Sequence, residues 1–332
     1  MLDVRKLRLL RELAHRGTIA AVAEALSYTP SAVSQQLTAL EREAGVPLLE
    51  RTGRRVELTP AAHLLVGHTE TILAALEHAD AELASTRTEL TGTLRIGAFP
   101  TAARTLLSPA LVTLSTDHPR LELTVTEIDP ADVADALRAG TLDIALTHDY
   151  DLVPADPDPS LQTEPLHTET VYLATRDPAP NPADAEPLQH ARPRRPNTGH
   201  PARDPATALS LHTDTSTQDA DPLRAHHESP WIAGTPATLC HTMTVRACQA
   251  TGFTPHIRHH ADDFTTVLAL VAAGAGTAIV PAMALHAPPD DITLTPLPTR
   301  RRTHLAYRNG TATHPAITAA RTALHAAAAH AR

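Results

Sequence analysis

Apolar residues recur at helical spacing from the start of the chain: Val4, Leu7, Leu10, Leu13 and Ala14 share one stripe, and Gly17 follows as a C-terminal cap. This predicts a first helix. Thr18 caps a second, with Ile19, Val22, Ala23 and Leu26 inward, until Ser27, Tyr28 and Thr29 break the period. Thr29 caps a third helix with Pro30 in its first turn, where the missing N–H costs nothing. Val33, Leu37 and Leu40 form the apolar stripe of this helix, and Gly45 with Pro47 ends it. Two short helices joined by a tight turn predict a helix-turn-helix. Residues 48–50 and 56–58 then read as two short strands around a turn that carries Arg51, Arg54 and Arg55. Thr59 and Pro60 repeat the cap-plus-proline signal and open a long helix reaching about residue 88. Within it Leu65, Ile72 and Ala79 alternate with Thr69, Leu76 and Leu83 in a heptad, the pattern of a helix that pairs with another.

Downstream the period switches between strand and helix. Residues 92–97 read as a strand, 100–114 as a helix, 121–127 as a strand, 130–139 as a helix closed by Gly140, and 142–147 as a third strand. That alternation predicts an α/β half-domain. Strands at 161–167 and 171–175, a short strand at 231–233, a helix at 236–250, a strand at 255–260 and a helix at 263–273 predict a second one. Between 177 and 229 the chain turns to Pro, Asp, Thr, His and Arg with almost no apolar period, which predicts an inserted segment without ordered structure.

On the third helix the face opposite the apolar stripe carries Ser31, Gln35, Thr38 and Arg42, with Ser34 beside them. Such side chains suit a helix in the major groove of double-stranded DNA, where Gln bonds adenine bidentately and Ser or Thr reaches bases or phosphates. The alternative is an ordinary solvated face. Arginines at the following turn, Arg51, Arg54 and Arg55, suit contact with the sugar-phosphate backbone.

Over this whole stretch, GTIAAVAEALSYTPSAVSQQLTALEREAGVPLLERTGRRVELTPAA resembles the N-terminal signature of LysR-type transcriptional regulators, including Ala23, Leu26, Ser31, Val33, Ser34, Leu40, Glu41, Gly45, Arg51, Leu58 and Thr59. It departs at Leu49, usually Phe in that family, and at Ala62, usually Gly. The stretch LALVAAGAGTAIVPA is similar to the family's return crossover. The resemblance implies an α/β fold with an N-terminal winged helix-turn-helix (1–59), a linker and dimerisation helix (60–90) and a two-lobed periplasmic-binding-protein-like effector domain (91–332). Its first lobe would hold 91–162 and 271–332, with the strand at 277–281 returning to it; the second would hold 163–270, including the 177–229 insertion. The DNA-binding set is then Thr29, Pro30, Ser31, Ser34, Gln35, Thr38, Arg42, Arg51, Arg54 and Arg55. In a two-lobed fold, ligands bind at the carboxyl ends of strands, which nominates Phe99, Pro100, Thr101, His148 and Thr235 for an unidentified small-molecule effector. A homodimer or homotetramer follows from the linker helix.

Composition changes this picture little. The chain has 332 residues, 29 prolines, few aromatics, a single lysine and a net charge of −9. The negative balance argues against nonspecific coating of nucleic acid, yet residues 1–60 carry nine cations against seven anions, so the acidity lies elsewhere. No apolar run is long enough to cross a membrane and the start lacks a secretory pattern, so the expectation is a cytoplasmic protein with no membrane partner. Cys240 and Cys248 are too few for a disulfide framework; of the two remaining readings, a redox pair and buried thiols, buried thiols fit better. His226-His227, His259-His260 and Cys240-His241 invite a metal, but 21 histidines scatter along the whole chain without ligand spacing, so no metal and no cofactor is expected. No nucleophile elbow, P-loop or dinucleotide fingerprint occurs, and no catalytic residue is nominated. A solute receptor would have no use for residues 1–60, and an enzyme with a DNA-binding tail would need a catalytic constellation after residue 92.

Overall fold

The computed structural model describes residues 1–52, 55–177 and 221–331. Helix α1 spans Val4–Arg16, with the Asp3 carboxylate accepting from Arg5 N at 2.8 Å and Gly17 closing it at φ 73°. Helix α2, Ile19–Ala25, and helix α3, Pro30–Ala44, start on Thr18 and Thr29, whose hydroxyls accept from the backbone N–H three residues on. Leu7, Leu10, Leu13, Val22, Val33, Leu37 and Leu40 bury themselves together, so one stripe from each helix makes the first core. Strands β1, Leu49–Thr52, and β2, Arg55–Leu58, pair antiparallel, with Leu49 opposite Leu58 and Thr52 opposite Arg55.

Helix α4, Pro60–Ser85, has 26 residues and is about 39 Å long at 1.5 Å per residue. It ends three residues before the expected position. The heptad seam is divided. Thr69 is fully buried within its own chain, whereas Ile72, Leu76 and Leu83 remain exposed at 36%, 45% and 67%. Two carboxylates of α4, Glu70 and Glu77, face basic side chains of other elements of the chain.

The rest of the chain forms one continuous eight-stranded sheet with two lobes. Strands β3 (Gly92–Ala98), β4 (Leu121–Glu127), β5 (Ile144–Tyr150), β6 (Leu161–Arg176), β7 (Pro230–Ala233), β8 (His256–His260), β9 (Thr277–Pro281) and β10 (Ile292–Arg308) take the order β4-β3-β5-β10-β6-β9-β7-β8. In the first lobe β3 lies parallel between β4 and β5, and β5 pairs antiparallel with the end of β10. In the second, β7 lies parallel between β8 and β9, and β9 pairs antiparallel with β6. The flanking helices are α5 (Pro100–Ala102), α6 (Ser108–Asp117), α7 (Pro130–Ala139), α8 (Leu239–Ala250), α9 (Phe264–Ala272) and α10 (Pro315–His330). A π turn at Ala103–Leu107 joins α5 to α6; Pro109 follows it and has no N–H for an i−4 bond, so widening the preceding turn lets the helix continue.

Four features differ from the pattern-based expectation. The two strands expected at 161–167 and 171–175 are one, β6, which pairs with β10 along both lobes. Strand β9 does not return to the first lobe: it is sandwiched between β6 and β7 in the second, and the return is made inside β10, at a register break between Pro296 and Arg300. The expected boundary at 162/163 falls within β6, and the chain crosses back between the lobes inside β10, where prolines at 296 and 298 cannot donate to the ladder and loosen it. Helix α8 begins at Leu239, not 236, with Thr238 as cap after a turn in which Ala237 takes φ 80°. Finally, of the expected insertion, residues 178–220 lie outside the described residues, but 221–229 are ordered. Leu223 is buried, Arg224–His226 form a 3-10 turn, and Trp231 Nε1 donates to His226 O at 3.2 Å.

Candidate functional site

Helix α3 presents one polar face to solvent. Thr29, Pro30, Ser31, Gln35, Thr38 and Arg42 are exposed or half-buried and Ser34 is half-buried, while Val33, Leu37 and Leu40 anchor the opposite side. Gln36 and Tyr28 are exposed on the same element and its approach, and sequence patterning did not single them out; nothing but their exposure marks them. Glu41 turns inward and its Oε1 accepts from Leu48 N at 2.9 Å and Leu49 N at 3.0 Å, which ties the hairpin to α3. Thr59 Oγ1 donates to Pro47 O at 3.0 Å while accepting from Ala62 N, so the same loop is fixed to α4. Arg54 and the side chains of Arg51 and Arg55 lie outside the described residues. Glu43, bonded by Lys6 Nζ and by Asp3 N, is held below the ordinary carboxylate range, chiefly by the Lys6 hydrogen bond.

A cavity of about 470 Å³ opens between the lobes, and Phe99, Pro100, Thr101, His148 and Thr235 all border it. The first three follow β3, His148 lies on β5, and Thr235 follows β7, so strand ends from both lobes converge there. Sequence patterning missed Arg301, Asp129, Asp262, Thr238 and Cys240 on the same walls. Arg301 had a usable signal. Three consecutive arginines, 300–302, fall on a strand, and side chains alternate across a sheet, so one of the two faces must take Arg301 alone.

Arg301 is 1% exposed. Its Nε donates to Glu169 Oε1 at 2.7 Å and its Nη2 to Thr101 Oγ1 at 2.9 Å, and its Cζ lies 5.0 Å from the centre of the Phe99 ring. Burial is the largest influence and opposes the charge, but Glu169, Tyr150 and Cys240 together exceed it, so the guanidinium is held more firmly protonated than usual. Glu169 Oε2 also accepts from Met283 N at 2.5 Å. His148 packs edge-on against Phe99 at 4.6 Å and Tyr150 at 5.3 Å, and neither ring nitrogen has a partner among the described residues. Burial, then Arg301 and His304, push its pKa well below 6.5, so the ring is neutral. Burial also raises the Cys240 thiol, which lies 3.5 Å from Tyr150 Oη, and pushes Cys248 up to about 12. Both cysteines are therefore thiols and poor nucleophiles at neutral pH. Among the described residues no group of three or more His, Cys, Asp or Glu side chains is placed to hold a metal ion, and no helix is long and apolar enough to cross a membrane.

Helix α7 connects the two sites. Asp129, Pro130, Ala131 and Asp132, at its start, border the cavity. Its last turns meet α1: Arg16 Nη1 donates to Asp135 at 2.8 Å and Arg11 Nη2 to Arg138 O at 3.0 Å. Glu12, 1% exposed, accepts from Arg11 at 2.8 Å and from Arg16 at 2.9 Å, holding both guanidinia in place.

These features recur in known proteins. The sequence signature described as "Bacterial regulatory helix-turn-helix protein, lysR family" matches residues 4–63, and that described as "LysR substrate binding domain" matches 87–206 and 212–329. A probable hydrogen peroxide-inducible genes activator of Mycobacterium xenopi is 36% identical over 168 residues, covering 51% of this chain and 86% of that protein. The HTH-type transcriptional regulator AlsR of Bacillus subtilis is 28% identical over 282 residues, covering 82% and 81%. In structure, a full-length OxyR variant from Pseudomonas aeruginosa superposes with a TM-score of 0.55 at 21% identity, covering 98% of each chain, a likeness of fold. With both family signatures matched across most of its length, this chain belongs to the LysR family and is a DNA-binding transcriptional regulator with an effector-binding domain.

Proposed function

We propose that α3 enters the major groove and reads base edges through Gln35, with Ser31, Ser34 and Thr38 beside it and Thr29, Pro30 and Arg42 at its flanks. Arg51, Arg54 and Arg55 then follow the phosphate backbone. Residues 1–59 act as the DNA-binding unit, 60–90 as linker and dimerisation helix, and the remainder as the effector-binding part. The exposed Ile72, Leu76 and Leu83 on α4 support assembly of a homodimer or homotetramer, since an apolar stripe of that kind is stabilised by covering it. A dimer would set two α3 helices about 34 Å apart, one duplex turn. The protein works by binding and not by turnover, in the cytoplasm where its DNA partner is.

The interlobe cavity is the effector site, bordered by Phe99, Pro100, Thr101, His148 and Thr235. The observation that carries this reading is the double placement of α7, which meets the cavity with its first turn and α1 with its last. A ligand that shifts α7 changes how α1 is held, and the population of DNA-competent arrangements follows. The peroxide response in the name of the Mycobacterium xenopi relative is not carried over, because burial keeps Cys240 and Cys248 protonated. Selection of genomic DNA fragments by the purified full chain tests the proposal. Enrichment of one roughly palindromic sequence is expected; recovery of fragments without a shared sequence would remove the base-reading role of α3.

A further inference from the structure

The walls of the interlobe cavity carry an excess of negative charge. Its described lining has four carboxylates, Glu127, Asp129, Asp132 and Asp262, against one cation, Arg301. That cation is already neutralised. Glu169, 5% exposed, sits 2.7 Å from it and cancels its charge inside the protein. Two of the acids make local bonds: Asp129 accepts from Ala131 N at 2.9 Å, and Asp262 accepts from Thr235 N at 2.8 Å and from Thr235 Oγ1 at 2.9 Å. Those donors are neutral, so the negative charge stays. The N-termini of α5, α7 and α8 all reach the cavity and each offsets roughly half an elementary charge, together less than the four carboxylates bring.

A second, independent feature marks the same cavity as a place for a ligand. His148 is 4% exposed, lines the cavity and has no hydrogen bond to either ring nitrogen among the described residues. Buried polar atoms are almost always paired, and an orphan of this kind needs an explanation. Its neutral ring carries one N–H and one lone pair, which suit a hydroxyl or an uncharged amide, and it adds no net positive charge to the walls. Phe99, Ile128 and Phe264 add apolar and aromatic surface. A cavity of about 470 Å³ suits a small molecule.

Building on the assignment of this cavity as the effector site, we infer that its effector is a small cation-bearing molecule, an alkyl amine or guanidine, and not a carboxylate or phosphate. The charged end sits among Asp129, Asp132 and Asp262, and the uncharged remainder reaches Phe99 and His148. A carboxylate entering the same mouth would meet a net excess of like charge and no free cation among the described residues.

Titration calorimetry on the full chain, with 4-aminobutanamide, 4-guanidinobutanamide and succinate as probes, tests this. Either amide should bind saturably, and Asp132→Asn, at an exposed position that leaves the fold intact, should weaken it about tenfold or more, as for loss of a close charge pair. His148→Phe should weaken it as well. Saturable succinate binding that His148→Phe removes would overturn the amine assignment while leaving the cavity as the effector site. Binding of an amide that neither variant alters would overturn the amine assignment, as would no binding of either amide at millimolar concentration, and both results leave the cavity reading to be judged by succinate. DNA binding measured on the same samples reports separately on the role of α3.

Discussion

Gln35 stands exposed at the middle of the polar face of α3, with Val33 and Leu37 holding the helix from behind. A bidentate amide contact discriminates one base pair from others, so Gln35→Ala should cost roughly 1–3 kcal/mol at the selected site and much less on random DNA. Fluorescence anisotropy on the two duplexes measures it; equal losses would show that Gln35 does not read bases. His148 makes a prediction about acid stability. Burial first, then Arg301 and His304, hold its native pKa well below 6.5, so the unfolded chain takes up this proton more readily than the folded one. Above pH 6.5 neither form is protonated and the native state keeps its full stability. As pH falls from 6.5 toward the depressed native value, stability should fall by up to about 1.4 kcal/mol per pH unit. His148→Phe should flatten the decline of melting temperature between pH 6.5 and 5; an unchanged decline would assign it to other groups. The exposed polar face was legible in the sequence because 100° per residue separates it from the apolar stripe. The environment of His148 was not, since only Tyr150 is its neighbour along β5, while Phe99 follows β3 and Arg301 lies on β10.

At the scale of elements, the ends of helices were the most readable feature. Thr18, Thr29 and Thr59 cap, and Gly17, Gly45 and Gly140 close at φ 73°, 71° and 75°, because these are contacts within four residues of chain. Contacts between elements were not readable. Gly310 packs against α4 so closely that an added Cβ would meet Ala74 O at 2.2 Å and Glu77 Cβ at 2.6 Å. Gly310→Ala should therefore destabilise the chain by about 1–3 kcal/mol through overpacking, while Gly67→Ala, inside α4 with open space around it, should stabilise by up to about 1 kcal/mol. Scanning calorimetry compares them, and equal effects of the two would discount the α4 contact. The meeting of α1 and α7 has a cleaner probe. Arg16 is 15% and Asp135 45% exposed, so their coupling in a double-mutant cycle should be about 0.2–1 kcal/mol. A coupling of zero would leave the backbone contact from Arg11 to Arg138 O as the joint between them.

For the whole molecule, net charge is a poor guide to DNA binding and local charge a better one. The chain carries −9 overall, yet cations gather in the DNA-binding unit. Removing one cation from a phosphate should reduce the slope of log affinity against log salt by about 0.9, so replacing Arg54 and Arg55 with Ala should flatten it by up to about 1.8. Binding measured between roughly 50 and 200 mM salt checks this, and an unchanged slope would take the turn away from the DNA backbone. The sequence by itself determined the helix-turn-helix, the caps, the alternation of strand and helix and the strand ends from which the cavity is built, because each rests on periodicity or on neighbours a few residues apart. Tertiary structure alone decided that β6 and β10 are shared between lobes, that β9 stays in the second, and that α7 bridges cavity and α1. It also decided the fate of Arg301, whose partners Glu169 and Thr101 lie 132 and 200 residues away along the chain. A pattern of apolar and polar positions shows which residues face inward. Which charges then meet is set by the pairing of distant strands, and there the character of the cavity was made.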